Sequence, residues 1–233
     1  MIYPLYKKEV RSNYKLLLLF AAVLTLYIAV IITMFDPKLG DSLNLMMESM
    51  PQLFAAFGMS APGTTLLSFL SNYLYGFLLV VLPMVFFILL ALRLVVRYID
   101  RRSMACLLAS PHSRASLVCT QGAVLLTFAA LLWLYASGFI LLLCHLLFPG
   151  ELDVPKFFLL NCGLLGLFVF FGGLAFFASC CFNEIGRAAM VGAGLPVLFL
   201  LIQMLAQAGD KWERLKYCPP LTLFCLLYTS RCV

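Results

Sequence analysis

Long uncharged runs alternate with short charged segments along this chain. Leu16–Met34, Tyr73–Leu92, Leu117–Leu141, Phe157–Cys181 and Ala188–Ala206 contain no Asp, Glu, Lys or Arg. A helix rises about 1.5 Å per residue and the hydrocarbon core of a bilayer is about 30 Å thick, so roughly 20 apolar residues cross it. Each run therefore predicts a membrane span, at about 16–34, 73–92, 117–141, 157–181 and 188–206. The fold class is all-α, a polytopic membrane helix bundle. Pro83 lies in the middle of the second span and predicts a kink there. Ala188/Gly192 and Ala189/Ala193 repeat small residues four apart, the spacing that lets two helices approach closely.

The segments between the runs predict smaller elements. MIYPLYKKEVRSNYK, residues 1–15, interleaves Lys7, Lys8, Arg11 and Lys15 with tyrosines and aliphatics. That pattern suits a short amphipathic elbow helix lying in the membrane interface ahead of the first span. Ser49-Met50-Pro51 opens a short external helix near 51–58, and Pro62-Gly63 marks a turn before a helix that starts near 65. Ser113 is placed to cap the helix of the third span.

Composition agrees with the runs. The chain has 233 residues, 64% of them hydrophobic and 11% charged, against about a quarter charged in an ordinary soluble domain. The net charge of +6 does not indicate nucleic acid, because the basic residues collect at the ends of the runs. Lys7, Lys8, Arg11, Lys15, Arg93, Arg97, Arg101, Arg102, Arg114 and Arg187 fall on one side of the alternation. Lys38, Lys156, Lys211, Arg214 and Lys216 fall on the other. The excess places the N-terminus and the 93–114 loop in the cytoplasm of a multi-pass protein of a prokaryotic plasma membrane.

The end of the chain is unusual. An odd number of spans is followed by a polar stretch at 209–220 and an apolar start at Leu221–Phe224. Cys225–Ser230 reads as an in-frame translation of a transposase mosaic-end sequencing adapter. We therefore expect a transmembrane domain over residues 1–224, a non-native tail over 225–233, and a sixth span in the native protein.

Catalytic patterns are missing from the sequence. It contains no Gly-x-x-x-x-Gly-Lys-Ser/Thr for nucleotide phosphates, no His-Glu-x-x-His and no Gly-x-Ser-x-Gly. The nine cysteines show no Cys-x-x-Cys or metal spacing, and read as small packing residues within helices. His112 and His145 stand at opposite ends of one span. No carboxylate falls inside the runs, which argues against a carrier built on an intramembrane acid. Among the polar residues that do enter them, Gln121, Asn161, Gln203 and Gln207 are candidates for a substrate path. Hydrogen bonding between helices is the alternative role for each. No catalytic residue, metal site or cofactor site is assigned to this chain, and it is not expected to be an enzyme.

The segment from Arg97 to Leu117, RYIDRRSMACLLASPHSRASL, holds the most specific pattern. Met104, Leu107 and Leu108 lie at i, i+3 and i+4, one apolar face of a helix over 100–109 that Arg101 and Arg102 border. Pro111 ends it, because the residue before a proline is driven out of the helical region. The segment resembles the cytoplasmic loop of permeases of ATP-binding-cassette (ABC) transporters of the type-2 exporter class. In that family an acidic residue follows the second span, then a Gly-Thr pair, a Leu-Leu step, a small-Pro-x-Ser-Arg turn and a lysine in the third span. Here Asp100, Leu107-Leu108 and Ser110-Pro111-His112-Ser113-Arg114 match, while Arg102 replaces the glycine and Gln121 the lysine.

The resemblance implies a permease subunit of six spans without an ATPase motif of its own. It implies a coupling loop carried by Asp100, Arg101, Arg102, Met104, Leu107, Leu108, Ser110, Pro111 and Arg114. The expected partners are an ABC ATPase subunit that holds ATP and magnesium, a second permease copy as homo- or heterodimer, and membrane lipid; nucleic acid is not among them. Two other readings share the topology. One is a non-transporting membrane protein, such as an immunity or sensor subunit. The other is a membrane-embedded enzyme using Asp100, Glu184, Arg187 and the arginines of the 93–114 loop.

Overall fold

Each uncharged run forms a helix that is longer than the run. The computed structural model describes residues 2–34, 49, 66–96, 98, 113–150, 152–182 and 184–208. Helix α1 is Tyr3–Thr33, α3 is Arg114–Leu147, α4 is Val154–Cys181 and α5 is Ile185–Ala208. Helix α2 covers residues 66–96 in consecutive parts: α-helical turns at Leu66–Leu70, π-turns at Ser71–Leu78, an α-helix at Leu79–Ala91 and π-turns at Leu92–Val96. Five helices are long and apolar enough to cross a membrane, and no strand occurs among the described residues. The bundle is thus a polytopic helical membrane protein. The external helix near 51–58 and the residues after 208 lie outside the described residues.

Helices outrun the runs because hydropathy detects only the part that lies in lipid, whereas backbone hydrogen bonding continues to the next cap. Ser113 takes the N-cap position of α3, with extended backbone, and its Oγ accepts from the backbone N–H of Ser116 at 3.2 Å. Pro4 and Pro155 occupy first turns, where the missing N–H would have no partner anyway. Gly150 turns the chain between α3 and α4 at φ +92°, a conformation that side chains with a Cβ disfavour.

The first helix corrects one expectation. Residues 1–15 do not form an elbow helix of their own; from Tyr3 onward they are the opening turns of α1, with no break before the span. One buried stripe runs the whole length: Leu5, Glu9, Asn13, Leu16, Phe20, Leu24, Ile28 and Ile32. It steps by four residues except between Asn13 and Leu16. Such a ridge is inclined to the helix axis and suits packing across a neighbour at an angle. Lys7, Lys8, Arg11 and Lys15 project from the other faces and are exposed.

Helix α2 is the centre of the bundle. It packs on α4 and α1, α3 lies against α1 and α4, and α5 rests mainly on α4. In α2, 67% of the span is buried, against 17% in α5. This difference explains the composition of α2, apolar on all sides and without a polar face. Phe86 and Phe87 of α2 meet Phe20 of α1 at 5.4 Å, Phe128 of α3 at 6.3 Å and Phe168 of α4 at 5.5 Å between ring centroids. Such tilted and edge-on pairs contribute about 0.5–1.5 kcal/mol each beyond burial.

The distortion expected from Pro83 lies upstream of it. A proline ring collides with the carbonyl of the residue four before it, here Leu79. Leu79 closes the first π segment with ψ at −8° instead of the usual helical value near −42°.

Small residues set the closest approaches. A Cβ on Gly172 would lie 2.7 Å from Leu125 Cδ2 and 3.4 Å from Phe87 Cδ1. A Cβ on Gly192 would meet the Ala178 Cβ at 3.4 Å and Ala175 backbone atoms at 3.7 Å. The small-residue spacing of α5 is therefore a contact with α4, and Ala188 is fully buried beside it. The cysteines differ from their expected packing role. Cys144 alone of the described ones is buried, while Cys119, Cys162, Cys180 and Cys181 face outward.

Candidate functional site

Among the described residues, two hydrogen-bonded polar clusters interrupt the apolar interior, one towards each end. The helix directions define these ends. α1 and α3 start at the basic end, where α2 and α4 finish; the 149–153 turn marks the opposite end. The distant cluster centres on Asn161 of α4. Its Oδ1 accepts from Tyr75 Oη of α2 at 3.1 Å and Ser137 Oγ of α3 at 2.7 Å. Its Nδ2 donates to the Phe157 carbonyl at 2.9 Å, and its own carbonyl accepts from Trp133 Nε1 at 2.7 Å. Asn161 therefore joins three helices with its side-chain groups all occupied. Tyr75 belongs to the π-turns of α2, so the cluster also holds the widened part of that helix in place.

The second cluster surrounds the 97–112 connection, the predicted coupling loop. Of this segment the structure describes Tyr98. Asp100, Arg101, Arg102, Met104, Leu107, Leu108, Ser110 and Pro111 lie outside the described residues. Arg114 opens α3 and is exposed. Both roots of the connection are held by hydrogen bonds. Gln121 Nε2 of α3 donates to the Leu94 carbonyl of α2 at 2.7 Å. Leu94 lies in the second π segment, where widened turns displace carbonyls from their usual partners, and a side-chain donor from α3 meets one of them. Gln121 stands where the resembling family carries lysine, and its amide supplies a donor at that place.

Helix α1 closes the arrangement. The Ile2 backbone N–H donates to Thr120 Oγ1 at 3.0 Å, and Tyr6 Oη pairs with Thr127 Oγ1 at 2.9 Å. One turn further along α1, Tyr98 Oη donates to Glu9 Oε1. Glu9 and Asn13 are 3% and 2% exposed, so both polar side chains occupy the core stripe of α1. Asn13 Nδ2 donates to the Glu9 carbonyl at 3.0 Å and lies 3.4 Å from Glu9 Oε2. Asn13 Oδ1 is buried without a donor among the described residues. The Lys8 ammonium stands 5.7 Å above the Tyr98 ring, within cation–π range.

Sequence reasoning missed Glu9 and Asn13, because residues 1–15 were treated apart from the first span. Extending the stripe of Leu16, Phe20 and Leu24 backward by helical steps reaches Asn13, Glu9 and Leu5, which was the signal available. The absence of carboxylates from the uncharged runs stands, yet a buried carboxyl lies in the same helix as one of them.

The remaining polar candidates are dispersed. Gln121 and Asn161 are about 1% exposed and sit in different clusters. Gln203 of α5 has a buried Oε1 without a partner among the described residues. Gln207 belongs to the last turns of α5, and its side chain is outside the described residues. Glu184 and Arg187 form an exposed ion pair at 3.2 Å, one turn apart on the surface, the kind worth little energetically. Among the described residues no group of His, Cys, Asp and Glu is placed to hold a metal.

Together these features define a helical membrane subunit whose polar interior ties helices to one another and to the roots of a basic loop. Residues 3–229 match the model of the ABC-2 family transporter protein, a range that runs past Phe224. The chain belongs to that family and is a membrane permease of ABC transporters. No curated protein and no solved structure matches it.

Proposed function

We propose that this permease is the membrane subunit of an exporter driven by ATP hydrolysed on a separate ATPase subunit. Membership of the family carries this reading. The ATPase docks on the 100–114 loop, with Met104, Leu107 and Leu108 as the apolar contact and Arg101, Arg102 and Arg114 facing acidic groups of the partner. ATP and its magnesium ion sit on that partner. The basic end is cytoplasmic in a prokaryotic plasma membrane, where Lys7, Lys8, Arg11 and Lys15 meet lipid headgroups. A second permease copy completes the transporter, and the substrate moves along their shared interface. Gln203, whose buried amide oxygen has no partner among the described residues, is the polar span residue best suited to face that path.

Co-expression with the ATPase of a neighbouring gene tests this reading. Leu107→Asp, or Arg101→Glu together with Arg102→Glu, is expected to lower co-purification of the ATPase at least about tenfold, as loss of a central interface anchor does. Membrane insertion should be unchanged. Wild-type levels of captured ATPase in these variants would remove the loop from the interface. A wild-type chain that captures none would favour the non-transporting reading.

A further inference from the structure

The hydrogen bonds at the basic end link α1, α2 and α3 in a closed ring at the roots of the loop. Leu94 and Tyr98 stand on its incoming side, Thr120 and Gln121 on its outgoing side. Gln121–Leu94 ties α3 to α2, Thr120–Ile2 ties α3 to α1, and Tyr98–Glu9 ties the incoming root to α1. A plain hairpin would pass a displacement of the loop only to α2 and α3. This ring passes it to α1 as well.

Glu9 is also a poor choice for packing alone. Its stripe neighbours Leu5, Leu16 and Phe20 are apolar, and a leucine there would be buried without desolvating a carboxyl group. Among the described residues the cluster also leaves one acceptor over. Glu9 Oε1 accepts from the Tyr98 hydroxyl, Glu9 Oε2 lies 3.4 Å from Asn13 Nδ2, and Asn13 Oδ1 has no donor among the described residues. An open acceptor beside these bonds lets the cluster exchange partners when a root moves. Lys8, already over the Tyr98 ring, is a further donor within short reach.

We propose that Glu9 is a positioning residue for coupling: by holding Tyr98 it fixes the incoming root of the loop to α1, so that ATPase-driven motion of the loop reaches α1. The role in transport rests on the docking reading above; the clamp itself does not.

Hydrogen exchange on the full-length chain in detergent tests the clamp without any partner. Glu9→Leu and Tyr98→Phe should each speed amide exchange over residues 92–98 about tenfold, the effect of losing one hydrogen bond. Glu9→Leu continues the apolar stripe, so the variant should fold. Glu9→Gln keeps an oxygen acceptor and should stay near wild type. Ser137→Ala, in the distant cluster, should leave this segment unchanged. Unaltered exchange in both Glu9→Leu and Tyr98→Phe overturns the clamp.

The complex with the ATPase, trapped with ATP and vanadate, tests the coupling. Exchange over residues 3–16 should change on trapping in the wild type and not in Glu9→Leu, with equal ATPase captured in both. An equal response of α1 in Glu9→Leu overturns the positioning role. A wild-type chain that captures no ATPase removes docking and with it the delivery of motion, while exchange over 92–98 still decides the clamp.

Discussion

The Asn161 and Glu9 clusters are built from similar groups, a carboxamide or carboxyl with a tyrosine hydroxyl, yet they are satisfied to different degrees. Around Asn161 both the amide oxygen and the amide nitrogen have a partner, and three helices converge on it. Around Glu9 the Asn13 oxygen has no donor among the described residues, and one partner comes from the root of a loop. The first arrangement has the properties of a lock, since any movement of α2, α3 or α4 breaks bonds without offering new ones. The second can be rearranged at low cost. What separates them is the balance of donors and acceptors more than burial, which is nearly complete in both.

The sharpest way to break this contrast is to replace both centres by leucine. Asn161→Leu removes the acceptor of Tyr75 and Ser137, and should lower unfolding free energy in mixed micelles by about 1–3 kcal/mol, from a typical 0.6–1.7 per interhelical hydrogen bond. Glu9→Leu should change it by less than about 1 kcal/mol, because the relief of burying a carboxyl group offsets the acceptor lost to Tyr98 and Asn13. Equal losses in the two variants would erase the distinction between lock and clamp.

A smaller effect separates the central helix from the peripheral one. Gly192→Val forces a branched side chain between α5 and the Ala175–Ala178 face of α4, and should cost about 1–2 kcal/mol as overpacking. Limited proteolysis should then release α5 while residues 3–181 stay protected. Loss of protection across all helices at once would show that α5 is as integral as α2.

The smallest expected effect concerns the outgoing root. Ser113→Ala removes the cap of α3 and should cost about 0.5–1 kcal/mol. Faster exchange should appear at residues 114–117 and leave residues 92–98 unaltered. If both roots loosened together, the ring would transmit local fraying as well as loop motion.

Much of the architecture was legible in advance, for identifiable reasons. The spans appeared as uncharged runs because lipid tolerates little else. The N-cap at Ser113 and the contact role of Ala188 and Gly192 were readable because they depend on neighbours in sequence and on residue size. The continuity of residues 3–15 with the first span was not, because charge on the outer faces of a helix masks the stripe on its inner face. The Pro83 distortion was expected at the proline itself, whereas the clash of its ring falls on the carbonyl of Leu79, four residues upstream. The roles of Gln121 and Asn161 were open between substrate path and helix contact for the same reason: their partners, the Leu94 carbonyl, Tyr75 and Ser137, are distant in sequence.

By itself, then, the amino-acid order determined the five spans among the described residues, the basic end and the helix start at Ser113, all consequences of hydropathy, charge and local capping. Only the tertiary structure decided which polar side chains would be locked and which left with a spare acceptor. Local periodicity can place Glu9, Asn13 and Asn161 on buried faces. Whether a buried polar group finds its partner depends on what the facing helix brings within about 3 Å, and the packing of α1, α2, α3 and α4 sets that distance.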